Sequence, residues 1–120
     1  MKLISAILLS ATCLITAASA QAIGGRYKVA GTNANGTTYS GEADVTLTSE
    51  TTCEITWKTG SATSGGICMR NDASFAAAYK MDDGSVGLII YKVAKDGSMD
   101  GLWTIAGNAG AGTEKLTPIP

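Results

Sequence analysis

The fold is decided by the stretch CEITWKTGSATSGGIC, residues 53–68. In its first half, Ile55 and Trp57 alternate with polar or charged residues, which is the period of two that marks a half-buried β-strand. Gly60-Ser61 lies at the centre and is typical of a tight turn between antiparallel strands. The stretch therefore predicts a β-hairpin whose tip is Gly60-Ser61.

The same hairpin places two cysteines opposite each other. With the tip at Gly60-Ser61, Cys53 pairs with Cys68, and directly paired residues lie within disulfide range. Cys13 falls in the predicted leader described below, so an exported chain keeps an even number of cysteines, which favours one disulfide. Closing a loop of this length contributes about 3 kcal/mol. The alternative is a pair of unpaired buried thiols.

Turn-forming residues recur at close and even spacing on both sides of this hairpin. Between them the residues alternate in polarity, and no segment after residue 20 combines helical periodicity with helix caps. The pattern predicts an all-β fold of about eight short antiparallel strands in an up-and-down meander that closes into a small barrel. A β-sandwich is the alternative. The seven turns are Asn33–Gly36, Ser49–Thr51, Thr59–Ser61, Asn71-Asp72, Asp82–Gly84, Lys95–Gly97 and Asn108–Gly110.

Four aromatic residues fall on the inward side of the predicted strands. They are Tyr27, Trp57, Tyr79 and Trp103. An eight-stranded barrel either fills its interior with side chains or holds one small ligand. These four residues are therefore candidates for core packing and for lining a ligand cavity.

The segment Val86–Val93 is apolar on both faces. If Leu88 and Ile90 fill the interior, then Ile89, Tyr91 and Val93 face outward. Such a patch often marks an association surface, so these three residues form a candidate interaction face, and an oligomer is possible. The alternative is that a loop or the C-terminal tail covers them.

The run DGSMDG, residues 96–101, resembles the start of a calcium loop. Asp96, Ser98 and Asp100 occupy its first, third and fifth positions, but Gly107 stands where a bidentate glutamate is needed. Asp-Gly and Ser are also ordinary turn residues. The sequence therefore favours a turn over a metal site here, and no cofactor is expected.

Composition argues against an enzyme. The chain contains no histidine, which is the commonest general base, and its remaining cysteines are predicted to be paired. The formal net charge is −1, and no basic stripe indicates a nucleic-acid partner.

The first twenty residues have the pattern of a signal peptide. Lys2 precedes an apolar run over residues 3–16, and Ala18-Ser19-Ala20 supplies small residues for cleavage after Ala20. The prediction is a signal peptide over residues 1–20 and a single domain over residues 21–120, in the periplasm or outside the cell. No second apolar segment predicts a membrane span.

Several runs spread over nearly the whole chain support a resemblance. They are GRYKVAGTN (25–33), GTTYSG (36–41), CEITW (53–57), GICM (66–69), GLIIY (87–91), DGLWT (100–104) and GAGTEKLTP (110–118). These runs resemble a family of small exported proteobacterial proteins, mostly uncharacterised, some of which carry the label fibronectin-binding. The resemblance implies export and, through that label, a matrix-type protein partner.

Two further runs are similar to the avidin and lipocalin class of barrels. They are GRY (25–27), with Tyr27 where that class has tryptophan, and DGSMDGLW (96–103). This likeness implies a barrel and transfers no ligand residue.

The expected function is an exported, non-catalytic binding module for a protein or matrix-type partner. The alternatives are a small-ligand carrier with a calycin-like cavity and a protease-inhibitor-like barrel that uses residues 21–25 as an arm.

Overall fold

The computed structural model describes residues 22–120, so the predicted signal peptide lies outside the described residues. Within this range, no helix has the length and apolar character needed to cross a membrane. The described chain forms eight β-strands. They are β1 (Gly25–Thr32), β2 (Thr38–Leu47), β3 (Thr52–Thr59), β4 (Ala62–Asn71), β5 (Ser74–Met81), β6 (Val86–Val93), β7 (Met99–Ile105) and β8 (Gly112–Pro118).

The strands form a closed barrel in sequence order. Each strand pairs antiparallel with the next, and β8 returns to pair with β1, where Gly31 lies opposite Glu114. Closure leaves no free sheet edge. The predicted meander barrel is thus confirmed, and the alternative of a β-sandwich is excluded.

The β3–β4 hairpin has the predicted register. Thr59 pairs with Ala62, so Gly60-Ser61 forms the two-residue tip, and Gly60 adopts the positive φ of 62° that glycine tolerates best. Further along the hairpin, Cys53 pairs with Cys68 and forms the predicted disulfide, with a Cα–Cα distance of 4.9 Å. The disulfide therefore ties two neighbouring strands inside the barrel.

One end of the barrel is filled with apolar side chains. Phe75 and Tyr91 stack with ring centroids 5.5 Å apart and are fully buried, as are Met99 and Leu116. Ile23, which precedes β1, is only 3% exposed and covers this end. We call it the packed end.

Four inward-facing aromatic rings each lie over a glycine on the neighbouring strand. A Cβ added to any of these glycines would lie 2.1–2.6 Å from the ring atoms, so only a glycine leaves room for the ring. The pairs are Tyr39 over Gly31, Tyr79 over Gly87, Tyr91 over Gly101 and Trp103 over Gly112. The glycines thus determine where the barrel can hold its large aromatic side chains.

The predicted interaction face of Ile89, Tyr91 and Val93 is wrong. Ile89 is 3% exposed, Tyr91 is fully buried and Val93 is half-buried, so all three side chains point into the barrel. The reason is the β5–β6 register, which pairs Tyr91 with the inward-facing Phe75. Directly paired residues share a face of the sheet. The outward positions of β6 are taken by Val86, Leu88 and Ile90, all three more than half exposed, and by Lys92.

A close backbone approach in β4 gives a test of this geometry. A Cβ on Gly66 would lie 1.8 Å from the carbonyl oxygen of Ala78, whereas a Cβ on neighbouring Gly65 would come no nearer than 3.2 Å to any atom. We expect Gly66→Ala to lower the free energy of unfolding by about 2 kcal/mol or more, because the backbone must shift. Gly65→Ala is the matched control and should cost much less. Urea denaturation of both variants measures the difference, and equal losses would contradict the described β4–β5 packing.

Candidate functional site

A cavity of about 280 Å³ opens at the end of the barrel opposite the packed end. The turns that join β1 to β2, β3 to β4, β5 to β6 and β7 to β8 surround its mouth. We call this end of the barrel the open end. The lining residues are Asn33, Tyr39, Trp57, Thr59, Ala62, Ser64, Tyr79, Met81, Ile89, Trp103, Ile105 and Glu114.

Glu114 lies at the inner end of this cavity. It occupies an inward position of β8, between Gly112 and Leu116, and only 6% of it is exposed. Tyr39 donates a hydrogen bond to its Oε1 atom at 2.9 Å, and the Trp57 indole N–H donates to its Oε2 atom at 3.1 Å. The Tyr91 hydroxyl donates to the same Oε2 atom. Three strands on other sides of the barrel therefore converge on one carboxyl group.

These hydrogen bonds do not use every acceptor position of the carboxylate. Each carboxylate oxygen has two lone pairs. Among the donors of residues 22–120, two reach Oε2, whereas only Tyr39 reaches Oε1. Within residues 22–120, Glu114 forms no salt bridge. The carboxyl group thus keeps one acceptor position and has no neutralising cation among the described residues.

Burial governs the titration of the site. Loss of solvent raises the pKa of Glu114 above its ordinary value, and the hydrogen bonds from Tyr91, Tyr39 and Trp57 oppose this shift. Burial also raises the pKa of Tyr79 to about 12, with a further contribution from the charge of Glu114. The tyrosines therefore stay protonated and act as hydrogen-bond donors.

The other aromatic side chains of the cavity are anchored to backbone. Tyr79 donates its hydroxyl to the carbonyl of Thr104 at 3.1 Å, and the Trp103 indole N–H lies 3.4 Å from the carbonyl of Thr113. The rings meet edge to face in two pairs, Trp57 with Tyr79 at 5.5 Å and Tyr39 with Trp103 at 6.2 Å between centroids. Their polar atoms are thus already bonded, and the rings are held in place before any ligand arrives.

Three of the four aromatic residues proposed from the sequence lie together. Trp57, Tyr79 and Trp103 line the cavity. Tyr27 is buried as expected, but it lies at the packed end, where its hydroxyl donates to the carbonyl of Ile23 at 2.6 Å. Tyr27 therefore belongs to the core and not to the ligand-lining set.

Sequence reasoning missed Glu114 as a member of the site. The signal was present in β8, where Gly112, Glu114 and Leu116 alternate with Thr113, Lys115 and Thr117. A glutamate at an inward position of a small barrel needs hydrogen-bond donors around it. Its partners, however, come from β2, β3 and β6, and their spatial approach is not visible in local sequence.

The predicted turn is formed by residues 94–98, and β7 begins at Met99. Asp96 Oδ1 accepts both the backbone N–H and the hydroxyl of Ser98, at 2.9 and 2.6 Å. Asp100 is exposed on the outer face, where it lies opposite Lys92 of β6 and Lys115 of β8 in the strand register. The three residues of the weak metal candidate therefore do not converge. Among residues 22–120, no group of three or more His, Cys, Asp or Glu side chains is placed to hold a metal ion.

The outer surface has a distinctly apolar side. On β4, β6 and β7, six large apolar side chains are more than half exposed, and the register brings them into neighbouring rows across the sheet. We call this surface the outer apolar face. It consists of Ile67, Met69, Val86, Leu88, Ile90 and Leu102. The outward positions of β1 to β3 are instead rich in charge, with Lys28, Glu42, Asp44, Glu54 and Lys58.

The solved structures that the chain resembles include designed β-barrels. A de novo designed fluorescence-activating β-barrel matches with a TM-score of 0.68 and 14% identity, over 83% of this chain and 96% of that one. A redesigned β-barrel, mFAP1, bound to DFHBI, matches with a TM-score of 0.70 and 19% identity, over 82% and 96%. Another redesigned barrel, b11L5F_LGL, has a TM-score of 0.72 and 13% identity, over 84% and 95%. At these identities the likeness shows the fold alone.

No protein-family model matches the chain, and no curated protein matches it. The resemblance to small exported proteobacterial proteins therefore stays a prediction.

The raised pKa of Glu114 predicts a pH dependence of stability. Because the folded protein binds this proton more tightly than the unfolded chain, stability falls as the pH rises from the unfolded carboxyl value through the folded one. Relative to Glu114→Gln, the wild type should therefore lose free energy of unfolding across this window and then level off. Chemical denaturation of both proteins at a series of pH values measures this difference.

The comparison isolates Glu114 from other carboxyl groups. Hydrogen bonds from Ser85 and Ser98 lower the pKa values of Asp83 and Asp96, so these two residues make stability rise with pH. Both residues are present in the wild type and in the variant, so their contribution cancels in the difference. A constant difference between wild type and variant, or one that grows in favour of the wild type as the pH rises, would contradict the raised pKa.

Proposed function

We propose that this protein is an exported, non-catalytic carrier that binds a small ligand in the open end of the barrel. The observation that carries the proposal is the pre-formed cavity, in which anchored aromatic rings surround one buried carboxyl group. Ligand sites are typically apolar and aromatic cavities with a few placed polar groups. Trp57, Tyr79, Trp103 and Glu114 supply that combination.

The size of the cavity limits the ligand. An apolar cavity of about 150 Å³ is enough to hold benzene. A volume of about 280 Å³ therefore suits a single ring with substituents or a short branched chain. The ligand enters between the turns at the open end, because apolar side chains and Ile23 fill the packed end.

The proposal of export has support from the described chain. Cys53 and Cys68 form a disulfide, and disulfides persist mainly in oxidising compartments. This agrees with the periplasmic or extracellular location expected from the leader sequence. The protease-inhibitor alternative has less support, because the described part of its arm packs on the barrel with Ile23 buried.

Binding at the open end can be tested with one-ring probes. We expect para-fluorobenzyl alcohol or para-fluorobenzylamine to bind the wild type, detected as line broadening in fluorine NMR. Ser64 lines the cavity and lies opposite Trp57, so Ser64→Phe should fill the space and weaken binding about tenfold or more. Thr63→Phe is the matched control, because Thr63 is the exposed neighbour of Ser64 and the same bulk then lies outside the barrel.

The two variants separate cavity binding from surface adsorption. Equal weakening by Ser64→Phe and Thr63→Phe, or no binding of either probe to the wild type, would contradict a carrier function at the open end. Circular dichroism of both variants shows whether the barrel is intact.

A second candidate function, binding of a protein partner, is favoured by the outer apolar face. An open groove of about 740 Å³ lies on the same side of the barrel. Exposed apolar patches of this kind mark association surfaces. Charges of both signs border the face, with Lys80, Lys92 and Asp100, and the small net charge gives little repulsion between copies. The partner that fits these features is a second copy of the chain.

Self-association predicts a dimer whose formation depends on concentration. Ile90 is 63% exposed at the centre of the face, so Ile90→Lys should shift the equilibrium to monomer while changing stability by no more than about 0.5 kcal/mol. Thr56→Lys places the same charge on the charged side of the barrel and should leave the dimer unchanged. Sedimentation velocity over a concentration series measures both. A wild type that stays monomeric throughout would contradict the second function.

A further inference from the structure

The charge of the cavity restricts which small ligands it can hold. Among the described residues that line it, Glu114 is the only one with an ionisable carboxyl or basic side chain. The remaining lining side chains carry aromatic, aliphatic, hydroxyl, amide and thioether groups. An anionic ligand would meet this carboxylate with no compensating cation, which is costly at a buried site.

The unused acceptor position on Glu114 calls for a hydrogen-bond donor. Oε2 is occupied by Trp57 and Tyr91, and Oε1 receives only Tyr39. The other polar groups of the aromatic side chains are bonded to backbone carbonyls. A ligand that reaches the inner end of the cavity therefore meets a carboxylate oxygen ready to accept, and it meets no free aromatic donor.

The rings around the carboxylate favour a positive charge. The faces of tryptophan and tyrosine rings attract cations, with tryptophan the strongest. Trp57, Tyr79, Tyr39 and Trp103 all contribute to the cavity wall, and the two edge-to-face pairs have interplanar angles of 65° and 69°. A cation in the cavity would thus interact with the carboxylate and with ring faces at once.

We propose that the ligand is a small protonated organic amine whose N–H donates to Glu114 Oε1 and whose apolar body lies among the rings. This inference rests on the proposed carrier function and names the chemical class of its ligand. A quaternary ammonium lacks the N–H that the free acceptor position requires. Charge-assisted hydrogen bonds of this kind are about twice as strong as neutral ones.

The test compares two probes of nearly the same shape. We expect the wild type to bind para-fluorobenzylamine about tenfold or more tightly than para-fluorobenzyl alcohol, because only the amine carries the charge. In Glu114→Gln, affinity for the amine should fall to that for the alcohol, whereas the alcohol should bind nearly as before. Isothermal titration calorimetry measures all four affinities. Circular dichroism reports whether the variant is folded.

The outcomes separate this inference from the carrier function. Tight binding of the alcohol with equal or weaker binding of the amine would overturn the inference and leave the carrier function intact. Binding of neither probe would overturn both. A preference for the amine that persists in folded Glu114→Gln would also overturn the inference, because the charge would then be recognised elsewhere.

A measurement on the wild type alone serves if Glu114→Gln does not fold. The groups facing Glu114 are Tyr39 from β2, Trp57 from β3 and Tyr91 from β6, with Tyr79 of β5 nearby, and none of these changes charge between acidic and neutral pH. The amine stays protonated over this range. Affinity for para-fluorobenzylamine should therefore weaken as falling pH protonates Glu114, whereas affinity for the alcohol should stay constant. Parallel pH profiles for the two probes would overturn the inference.

Discussion

Burial of the Glu114 carboxyl is the constraint on which the interior of the barrel depends. A buried carboxyl costs several kcal/mol unless hydrogen bonds compensate it, so donors must approach from other strands. Tyr39, Trp57 and Tyr91 provide them. Two of these rings in turn need a glycine on the neighbouring strand, Gly31 under Tyr39 and Gly101 under Tyr91. The buried carboxyl group on β8 therefore constrains which residues can occupy the facing positions of other strands.

The interior of the barrel is packed differently on the two sides of Glu114. Towards the packed end, Phe75, Met99 and Leu116 fill the interior, and the disulfide joins β3 to β4. Burial of such side chains and loop closure by the disulfide supply much of the stability. Towards the open end the interior is left unfilled, which costs packing energy. The unfilled space is the cavity that the proposed ligand would occupy.

Much of the fold could be predicted from local sequence, and the reason is physical. A period of two and glycine-rich turns determine strands and hairpins without reference to distant residues, and the hairpin centred on Gly60-Ser61 gave the Cys53–Cys68 pair. Closure was harder, because the pairing of β1 with β8 joins residues at the two ends of the described chain. Periodicity could not orient Val86–Val93, which is apolar on both faces. The β5–β6 hairpin, centred on the turn at Asp83, places Tyr91 opposite the inward-facing Phe75. Tyr91 must therefore point into the barrel.

The candidate site could be predicted only in part, because local sequence does not show which distant residues come together. Trp57, Tyr79 and Trp103 could be assigned to the interior from their own strands, since orientation within a strand is local. Which of them share a cavity depends on how far along the barrel axis each one lies, and this separated Tyr27 from the other three. Glu114 became recognisable as the centre of the site only when the strands that donate to it were brought together.

The proposed amine interacts directly with the Glu114 carboxylate when it is bound. Carbon-13 NMR of the glutamate carboxyl groups, titrated against pH with and without saturating para-fluorobenzylamine, tests it most directly. A cation that binds the ionised form must lower the pKa of that carboxyl by linkage. We expect the Glu114 resonance to titrate at lower pH in the presence of the amine and to show no such change with para-fluorobenzyl alcohol. An unchanged Glu114 titration at saturation with the amine would contradict the account.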